Sequence, residues 1–278
     1  MPLDSNFIEI AYSRYNPYRR RSGTEHVAML LYSLIRMSRS EIVVEFGSGH
    51  STLFILRALG DNLEDFIEER ESLIKKSRDL GDLSLNSEGQ IEQEFLEMAQ
   101  TWYETGGKSV GKKPSYYLDN YSPHLYDFEE LPKDHEYVKD LQSVVNKLGH
   151  ENIFTSITNQ KFTQKLLPED RWIDLAWNDH YEYRDFFSEF WPKINPKGGL
   201  LVFHNTVSVK QNIEDIDWMK EQVLLSGAND LEVLNLEEPH KLHQNGCTIL
   251  RKTAGCQSEI YLSDLGKIKR DIEQLLMD

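Results

Sequence analysis

The feature that most constrains the fold of this chain is a glycine-containing turn that directly follows an apolar stretch. Residues 41–45 read Glu-Ile-Val-Val-Glu. The three central residues are β-branched and show no alternation in polarity, which is typical of a strand buried on both faces. The sequence Phe-Gly-Ser-Gly-His-Ser-Thr follows, and helical spacing of apolar residues resumes at Ser51. A strand, a tight turn and a helix in this order predict the ligand-binding corner of an α/β sheet.

The rest of the chain alternates short apolar runs with amphipathic helical segments joined by short links. This alternation predicts an α/β fold with a doubly wound, Rossmann-like seven-stranded sheet and a helical insertion after the first strand-helix unit. The predicted strands are 41–45, 124–129, 152–158, 172–178, 200–203, 231–236 and 246–250. The predicted helices begin at a Ser22-Glu25 capping box, at Ser51 with an end at Gly60, and near residues 138, 183, 213 and 261.

Charge and cysteine content narrow the class of partner. Acidic residues outnumber basic ones by 46 to 31, so the net charge of −15 would repel a nucleic acid and favours a small-molecule partner. The two cysteines are too few for a disulfide framework or a four-thiolate zinc site. We see no basic-then-apolar export signal and no apolar stretch that could span a bilayer, so we expect a cytoplasmic protein without membrane contact.

The residue types in the turn indicate which ligand it could hold. Gly47 and Gly49 let the backbone turn tightly and approach a ligand, and the following helix offers unpaired N–H groups. A dinucleotide site would favour a third glycine where Thr52 stands, and Glu45 would repel a pyrophosphate. A cationic, phosphate-free cofactor suits the turn better, and S-adenosylmethionine, a sulfonium, is one.

The pattern Glu-x-Gly-x-Gly-x-Ser-Thr after an apolar strand resembles the first motif of class I S-adenosylmethionine-dependent methyltransferases, especially the catechol and caffeoyl-CoA O-methyltransferase branch. Residues 173–180 and 196–205 are similar to that branch's fourth strand, glycine turn and fifth strand, and 232–250 to its closing hairpin. The predicted organisation is an N-terminal arm and helix (1–38), a methyltransferase domain (39–252) with an inserted helical lid (61–123), and a C-terminal helix (253–278). Aromatic residues in the insertion would line an acceptor pocket or form a homodimer contact.

The resemblance implies where S-adenosylmethionine would bind. Its methionine part would lie against the two glycines, and a carboxylate at the end of the second strand, Asp127 or preferably Glu129, would hold the ribose hydroxyls. Asn159 and Gln160 would contact adenine, or would merely end the third strand as turn residues. The full predicted cofactor set is Glu45, Gly47, Ser48, Gly49, Ser51, Thr52, Asp127, Glu129, Asn159, Gln160 and Asp179.

The chemistry of the transfer step stays open at this point. Metal-dependent members of the resembled branch use an Asp after the fourth strand and an Asp-Asn pair after the fifth; this chain has Asp179 and Asn205 but His204 in place of the first Asp of the pair. An imidazole weakens a Mg²⁺ shell, whereas a softer ion such as Mn²⁺ accepts it. Alternatively no metal binds, and His180 or His204 is the general base beside Asp179.

The resemblance thus implies an S-adenosylmethionine-dependent O-methyltransferase that acts on a small-molecule hydroxyl, and a large lid would suit a secondary-metabolite intermediate. Two alternatives remain. An N-methyltransferase would use the same cofactor site without a metal, and a non-catalytic scaffold would keep the fold and bind the cofactor without turnover.

Overall fold

The computed structural model of the protein describes residues 3–14, 23–79, 112–226, 230–253 and 265–277. The chain divides into two compact units. The first comprises Met1–Asp61 and Pro123–Gln257, and the second comprises Asn62–Ser122 and Ser258–Asp278. Residues 80–111 of the predicted lid lie outside the described residues, so its role and the predicted domain boundaries stay predictions.

The first unit is built on a single mixed sheet, which confirms the predicted fold class. In the described residues the sheet has seven strands in the order β3-β2-β1-β4-β5-β7-β6, with β1 to β5 parallel and β7 antiparallel to both of its neighbours. The strands are β1 (Ile42–Phe46), β2 (His124–Glu129), β3 (Phe154–Thr158), β4 (Leu175–Asn178), β5 (Leu200–His204), β6 (Leu231–Leu236) and β7 (Cys247–Lys252).

Helices flank this sheet, and the second unit is also built from helices. They are α1 (Ser5–Arg14), α2 (Val27–Ser38), α3 (His50–Asp79), α4 (Glu136–Lys147), α5 (Tyr183–Phe190), α6 (Lys210–Leu225) and α7 (Leu265–Met277). Short 3₁₀ turns occupy Pro114–Tyr117, Glu151–Ile153, Gln164–Leu166 and Trp191–Lys193. None of the described helices combines the length and the apolar character that a bilayer crossing needs.

The sheet of the first unit has a hydrophobic cluster on each face. Side chains of β1 alternate between the two, so Val43 packs with α2, α3 and α4, while Val44 packs with the aromatic side of α5 and with α6. All five residues of β1 are buried, as expected for the central strand of a parallel sheet. The helix after β4, α5, turns an aromatic face to the core, since Tyr183, Phe186, Phe187 and Phe190 are buried.

Gly60 does not end a helix, contrary to the sequence-based expectation. Helix α3 continues through it to Asp79. The glycine is instead a packing residue, because a Cβ at this position would lie 2.7 Å from Cε1 of His150. The close approach of a side chain 90 residues further along the chain explains the glycine, and helix termination does not.

Two further departures concern the N-terminal segment. Helix α1 was not predicted, because its apolar periodicity is weak; Phe7 and Ala11, one helical turn apart, are nevertheless fully buried, and the Phe7 ring contacts Phe54 with 5.1 Å between ring centroids. Helix α2 begins at Val27 and not at the proposed capping box. Ser22 of that box lies outside the described residues.

The second unit has its own small core. Phe66 of α3 stacks on Tyr117 and Tyr121, and Ile272 and Leu275 of α7 belong to the same cluster. The Tyr117 hydroxyl donates a 2.6 Å hydrogen bond to the buried carboxylate of Glu69. Tyr117 and Tyr121 therefore serve the packing of this unit, whereas Trp102 and Tyr103 lie outside the described residues.

Candidate functional site

Four neighbouring parallel strands present polar or glycine residues at one level of the sheet. Phe46 of β1 is in register with Phe128 of β2 and with Asn178 of β4, and Asn178 is in register with Phe203 of β5. The next residues along these strands are Glu129, Gly47, Asp179 and His204, in the spatial order of the strands. This is the carboxyl edge of the sheet, where open α/β folds bind ligands.

The two glycines of the turn after β1 have different surroundings. Gly47 has a φ of +98°, a left-handed conformation that glycine adopts without a Cβ clash. Gly49 lies against Tyr137, and a Cβ there would lie 2.8 Å from the tyrosine Oη, so the tyrosine side chain would have to shift. That hydroxyl donates a 2.6 Å hydrogen bond to the carbonyl of Ser48. Tyr137 comes from α4, so no local sequence signal could have linked it to the turn.

Two hydroxyl groups of α3 brace the turn from inside the protein. Ser51 donates a 2.6 Å hydrogen bond to Glu45 Oε1 and lies 3.3 Å from the indole nitrogen of Trp177, which donates to it. Thr52 Oγ1 accepts a 2.7 Å hydrogen bond from the backbone N–H of Gly49. Both residues are buried. Of the predicted cofactor residues, Glu45, Ser51 and Thr52 therefore lie beneath the turn and hold its shape.

Glu129 is the carboxylate that the structure places beside the turn. Its Oε2 accepts a 2.5 Å hydrogen bond from the Ser48 hydroxyl, and its Oε1 accepts one of 3.0 Å from the backbone of Leu131. These bonds fix the carboxylate and leave a lone pair on each oxygen for a ligand. Asp127 is fully buried two residues earlier on β2, so Glu129 is the better placed of the two ribose candidates.

Glu45 and Asp127 form a buried carboxyl pair. They face each other in the register of β1 and β2, and both side chains are fully buried. Within the described ranges, Glu45 Oε2 and Asp127 Oδ1 accept no hydrogen bond. Burial, and then the neighbouring charge of Asp127, raises the pKa of Glu45 well above its usual range. Burial and then the charge of Glu129 do the same to the pKa of Asp127.

Asp179 and His204 form a hydrogen-bonded pair across the ends of β4 and β5. The His204 Nδ1 lies 2.5 Å from Asp179 Oδ1, and the imidazole is buried with its ring centroid 5.7 Å from that of Trp177. Its Nε2 has no hydrogen-bond partner in the part of the chain that the structure describes. Burial alone would lower the pKa of His204, but the charge and hydrogen bond of Asp179 outweigh it and raise that pKa.

The other predicted catalytic histidine, His180, lies outside this pair. Its ring packs on Phe46, with 4.6 Å between ring centroids, and its Nε2 is 3.8 Å from a carboxylate oxygen of Glu130. Asn159 and Gln160 are exposed at the turn after β3, where Asn159 has a left-handed φ of 60°. That conformation agrees with the turn-residue interpretation of Asn159 and leaves its side chain accessible.

The three predicted metal ligands do not form a shared donor set. Asp179 and His204 hydrogen-bond to each other, and Asn205 Oδ1 accepts a hydrogen bond from the Ser208 hydroxyl. The backbone carbonyl of Asn205 accepts a 2.8 Å hydrogen bond from Asn212. A Mg²⁺ or Mn²⁺ shell requires several oxygen donors directed at one point, and this arrangement does not fit it.

Several solved structures share this fold. The O-methyltransferase TomG from Streptomyces achromogenes, involved in tomaymycin synthesis and solved in complex with S-adenosylmethionine, is 13% identical; the match covers 90% of this chain and 91% of TomG with a TM-score of 0.55. A proposed O-methyltransferase from Klebsiella pneumoniae is also 13% identical, with 91% and 92% of the two chains covered and a TM-score of 0.52. No protein-family model and no curated protein sequence matches the chain.

The chain has the fold of class I S-adenosylmethionine-dependent O-methyltransferases. The residues at the carboxyl edge of this methyltransferase fold also fit the cofactor. Gly47 opens the backbone at the end of β1, and the fixed carboxylate of Glu129 offers two acceptors that match the two vicinal hydroxyls of a ribose. The fit of Gly47 and Glu129 to S-adenosylmethionine therefore does not depend on whether a metal ion binds.

The buried carboxyl pair predicts a pH dependence of stability for this methyltransferase fold. Both folded-state pKa values are raised, so the associated stability is fully present below the unfolded carboxyl pKa of about 4 and is lost as pH rises through the raised values. Asp127→Asn removes one charge and keeps the shape. We expect its free energy of unfolding at pH 8 to exceed that of the wild type by at least about 1 kcal/mol, with a smaller difference near pH 5.

Denaturant unfolding between pH 5 and pH 8 measures this effect. Asp134→Asn is the matched control, because Asp134 is an exposed carboxyl in the connection that follows β2. Parallel pH profiles for the wild type and Asp127→Asn would show that the pair carries no such linkage.

Proposed function

We propose that this protein transfers a methyl group from S-adenosylmethionine to a hydroxyl group of a small-molecule acceptor. The observation that carries the proposal is the row Glu129, Gly47, Asp179 and His204 at one level of four adjacent strands. Glu129 and Gly47 suit the binding of a nucleoside cofactor, and Asp179 and His204 suit proton removal. Methyl transfer to oxygen needs both functions within one pocket.

The cofactor half of the row consists of Glu129 and the glycine turn. S-adenosylmethionine supplies, when bound, a methyl group on a positively charged sulfur. Glu129 would accept hydrogen bonds from the ribose hydroxyls, and the methionine part would lie along Gly47 and Ser48. Asn159 and Gln160 follow β3, the next strand beyond β2, and are accessible for contact with the adenine.

The proton-accepting half is the Asp179–His204 pair. Asp179 accepts the Nδ1 hydrogen and so holds the neutral imidazole in the tautomer whose Nε2 is a base. His204 Nε2 would take the proton of the acceptor hydroxyl as the methyl group passes from sulfur to that oxygen and S-adenosylhomocysteine is released. The Asp179 carboxylate would stabilise the resulting imidazolium. His180 is the weaker candidate, because its ring is paired with Phe46 and Glu130.

Two observations favour oxygen over nitrogen as the acceptor atom. A hydroxyl has to lose its proton during transfer, and the Asp179–His204 pair provides a base for that step, which a neutral amine needs less. TomG is described as an O-methyltransferase, and the Klebsiella pneumoniae protein as a proposed one. TomG is involved in the synthesis of tomaymycin, and we extend this to a proposal that the acceptor here is a secondary-metabolite intermediate.

Substitution of Glu129 tests the cofactor site. Glu129→Ala removes both ribose acceptors, and loss of hydrogen bonds to a charged group costs about 1.5–3 kcal/mol each, so we expect S-adenosylhomocysteine to bind at least about tenfold more weakly. Isothermal titration calorimetry measures the affinity. Glu130→Ala, the exposed neighbour, should bind like the wild type. Equal affinity in all three proteins would remove Glu129 from the site, and no binding to the wild type would contradict the cofactor assignment.

Substitution of His204 tests the proton-transfer assignment. His204→Asn keeps a donor for Asp179 but removes the base, so we expect kcat to fall by a factor of about 10²–10⁴ with little change in S-adenosylhomocysteine affinity. Methylation of a panel of phenols and alcohols, followed by mass spectrometry, measures turnover. His180→Asn is the control and should retain activity within a few-fold.

The same assay separates the base mechanism from a metal mechanism. With His204 as the base, we expect undiminished turnover in EDTA. We also expect the rate to rise as pH passes through the pKa of His204, which lies above the usual histidine value. Loss of activity in EDTA, restored by Mg²⁺ or Mn²⁺, would contradict it. Activity lost with His180→Asn and kept with His204→Asn would transfer the role to His180.

A further inference from the structure

A second cluster of polar side chains lies in the first unit and shares no residue with the row that carries the proposed function, although the charge of Glu238 acts on His204. His26 immediately precedes α2, and Glu238 and His240 lie in the loop between β6 and β7. One donor atom from each residue lies within 4.8 Å of the other two. We propose that His26, Glu238 and His240 bind Zn²⁺ or a similar divalent transition-metal ion. This proposal does not rest on methyltransferase activity.

The donor chemistry selects the class of ion. Two imidazole nitrogens and one carboxylate oxygen suit Zn²⁺ and its neighbours, whereas Mg²⁺ and Ca²⁺ prefer oxygen donors alone. Three protein ligands leave at least one coordination position open. Both histidines are exposed, so an ion can enter from solvent and water can complete the shell.

Glu238 supplies a second observation that favours a cation at this cluster. Its Oε2 is buried and accepts no hydrogen bond from any residue that the structure describes. Its other oxygen, Oε1, lies 2.9 Å from Lys241 Nζ. A buried carboxylate oxygen without a donor is costly, and a metal ion would satisfy it. The carboxylate would then bridge the ion and Lys241, an outer-shell contact of the kind that orients metal ligands.

The local charge also favours a cation. Lys241 Nζ lies 2.9 Å from Glu25 Oε1 as well as from Glu238 Oε1, and all three side chains are largely buried. Two carboxylates therefore share one ammonium group, which leaves an excess of negative charge beside the histidines. This excess attracts a divalent ion and would weaken a purely structural ion pair.

The segments that carry the ligands are already held together. Lys241 Nζ donates a 2.8 Å hydrogen bond to the carbonyl of Gly23, and a Cβ on Gly23 would collide with Gln244. The loop is fixed by the buried Asn245, whose Oδ1 accepts a 2.8 Å hydrogen bond from the backbone N–H of Glu238. Ligands on a fixed frame pay little entropy when they bind an ion.

The three donor atoms need only small shifts to form the shell. Zn–N bonds of about 2.0–2.1 Å place tetrahedral donors roughly 3.3 Å apart, so donors that lie within 4.8 Å of one another converge by at most about 1.5 Å. The rings of His26 and His240 already meet edge to face, with 5.3 Å between centroids. A ring contact without any metal is the competing explanation of this geometry.

Zinc binding by the complete, metal-free chain tests the proposal. We expect calorimetric titration with ZnCl₂ to show a site that His26→Ala and His240→Ala each weaken by at least about tenfold. His243→Ala is the matched control, since His243 is an exposed histidine in the same loop and should leave the affinity unchanged. His204→Asn should also leave it unchanged, which separates this site from the Asp179–His204 pair.

Two further measurements keep the result specific. Glu238→Gln is nearly isosteric, so a loss of Zn²⁺ affinity in this folded variant assigns the carboxylate as a ligand. Visible absorption of the Co²⁺-loaded protein should show the intense bands of a four- or five-coordinate site, absent in His240→Ala. Equal Zn²⁺ affinity in His240→Ala and His243→Ala, or Co²⁺ bands typical of six oxygen donors, would overturn the proposal.

Discussion

The hydrogen bond from Ser51 to the buried carboxyl group of Glu45 is the contact on which the rest of the site depends. It connects the first turn of α3 to the end of β1. In the turn between them, Gly47 is left-handed and Gly49 lies against Tyr137. This geometry sets the position of Ser48, which in turn holds Glu129. The backbone geometry at the buried end of β1 thus fixes the position of the Glu129 carboxylate at the carboxyl edge of the sheet.

The centre of the sheet could be predicted from sequence because β1, β4 and β5 are buried on both faces. That burial forces continuous apolar runs such as 42–44 and 200–203, and the glycine and polar turns between them supply the boundaries. The errors arose where a distant contact overrides a local signal. Gly60 has the composition of a helix end, yet His150 is what requires it, and α1 is held by the packing of Phe7 despite its weak periodicity.

The candidate site was only partly predictable, for the same reason. The motif identifies the glycines, and strand-end position ranks Glu129 above Asp127, since both are local properties. Sequence alone left the metal and the general base as equal alternatives, because the choice depends on what Asp179 and His204 contact. Their 2.5 Å separation, with Asn205 turned toward Ser208, is tertiary information. The burial of Glu45 against Asp127 likewise requires the register of two strands.

The central claim is that one sheet edge holds the nucleoside at Glu129 and the reacting group near His204. A crystal structure of the protein with S-adenosylhomocysteine tests it most directly. We expect the ribose hydroxyls within hydrogen-bond distance of Glu129 and the methionine part along Gly47. The sulfur should be directed toward a cavity that reaches His204 Nε2. A ligand bound elsewhere, or a sulfur separated from His204 by the body of the sheet, would contradict it.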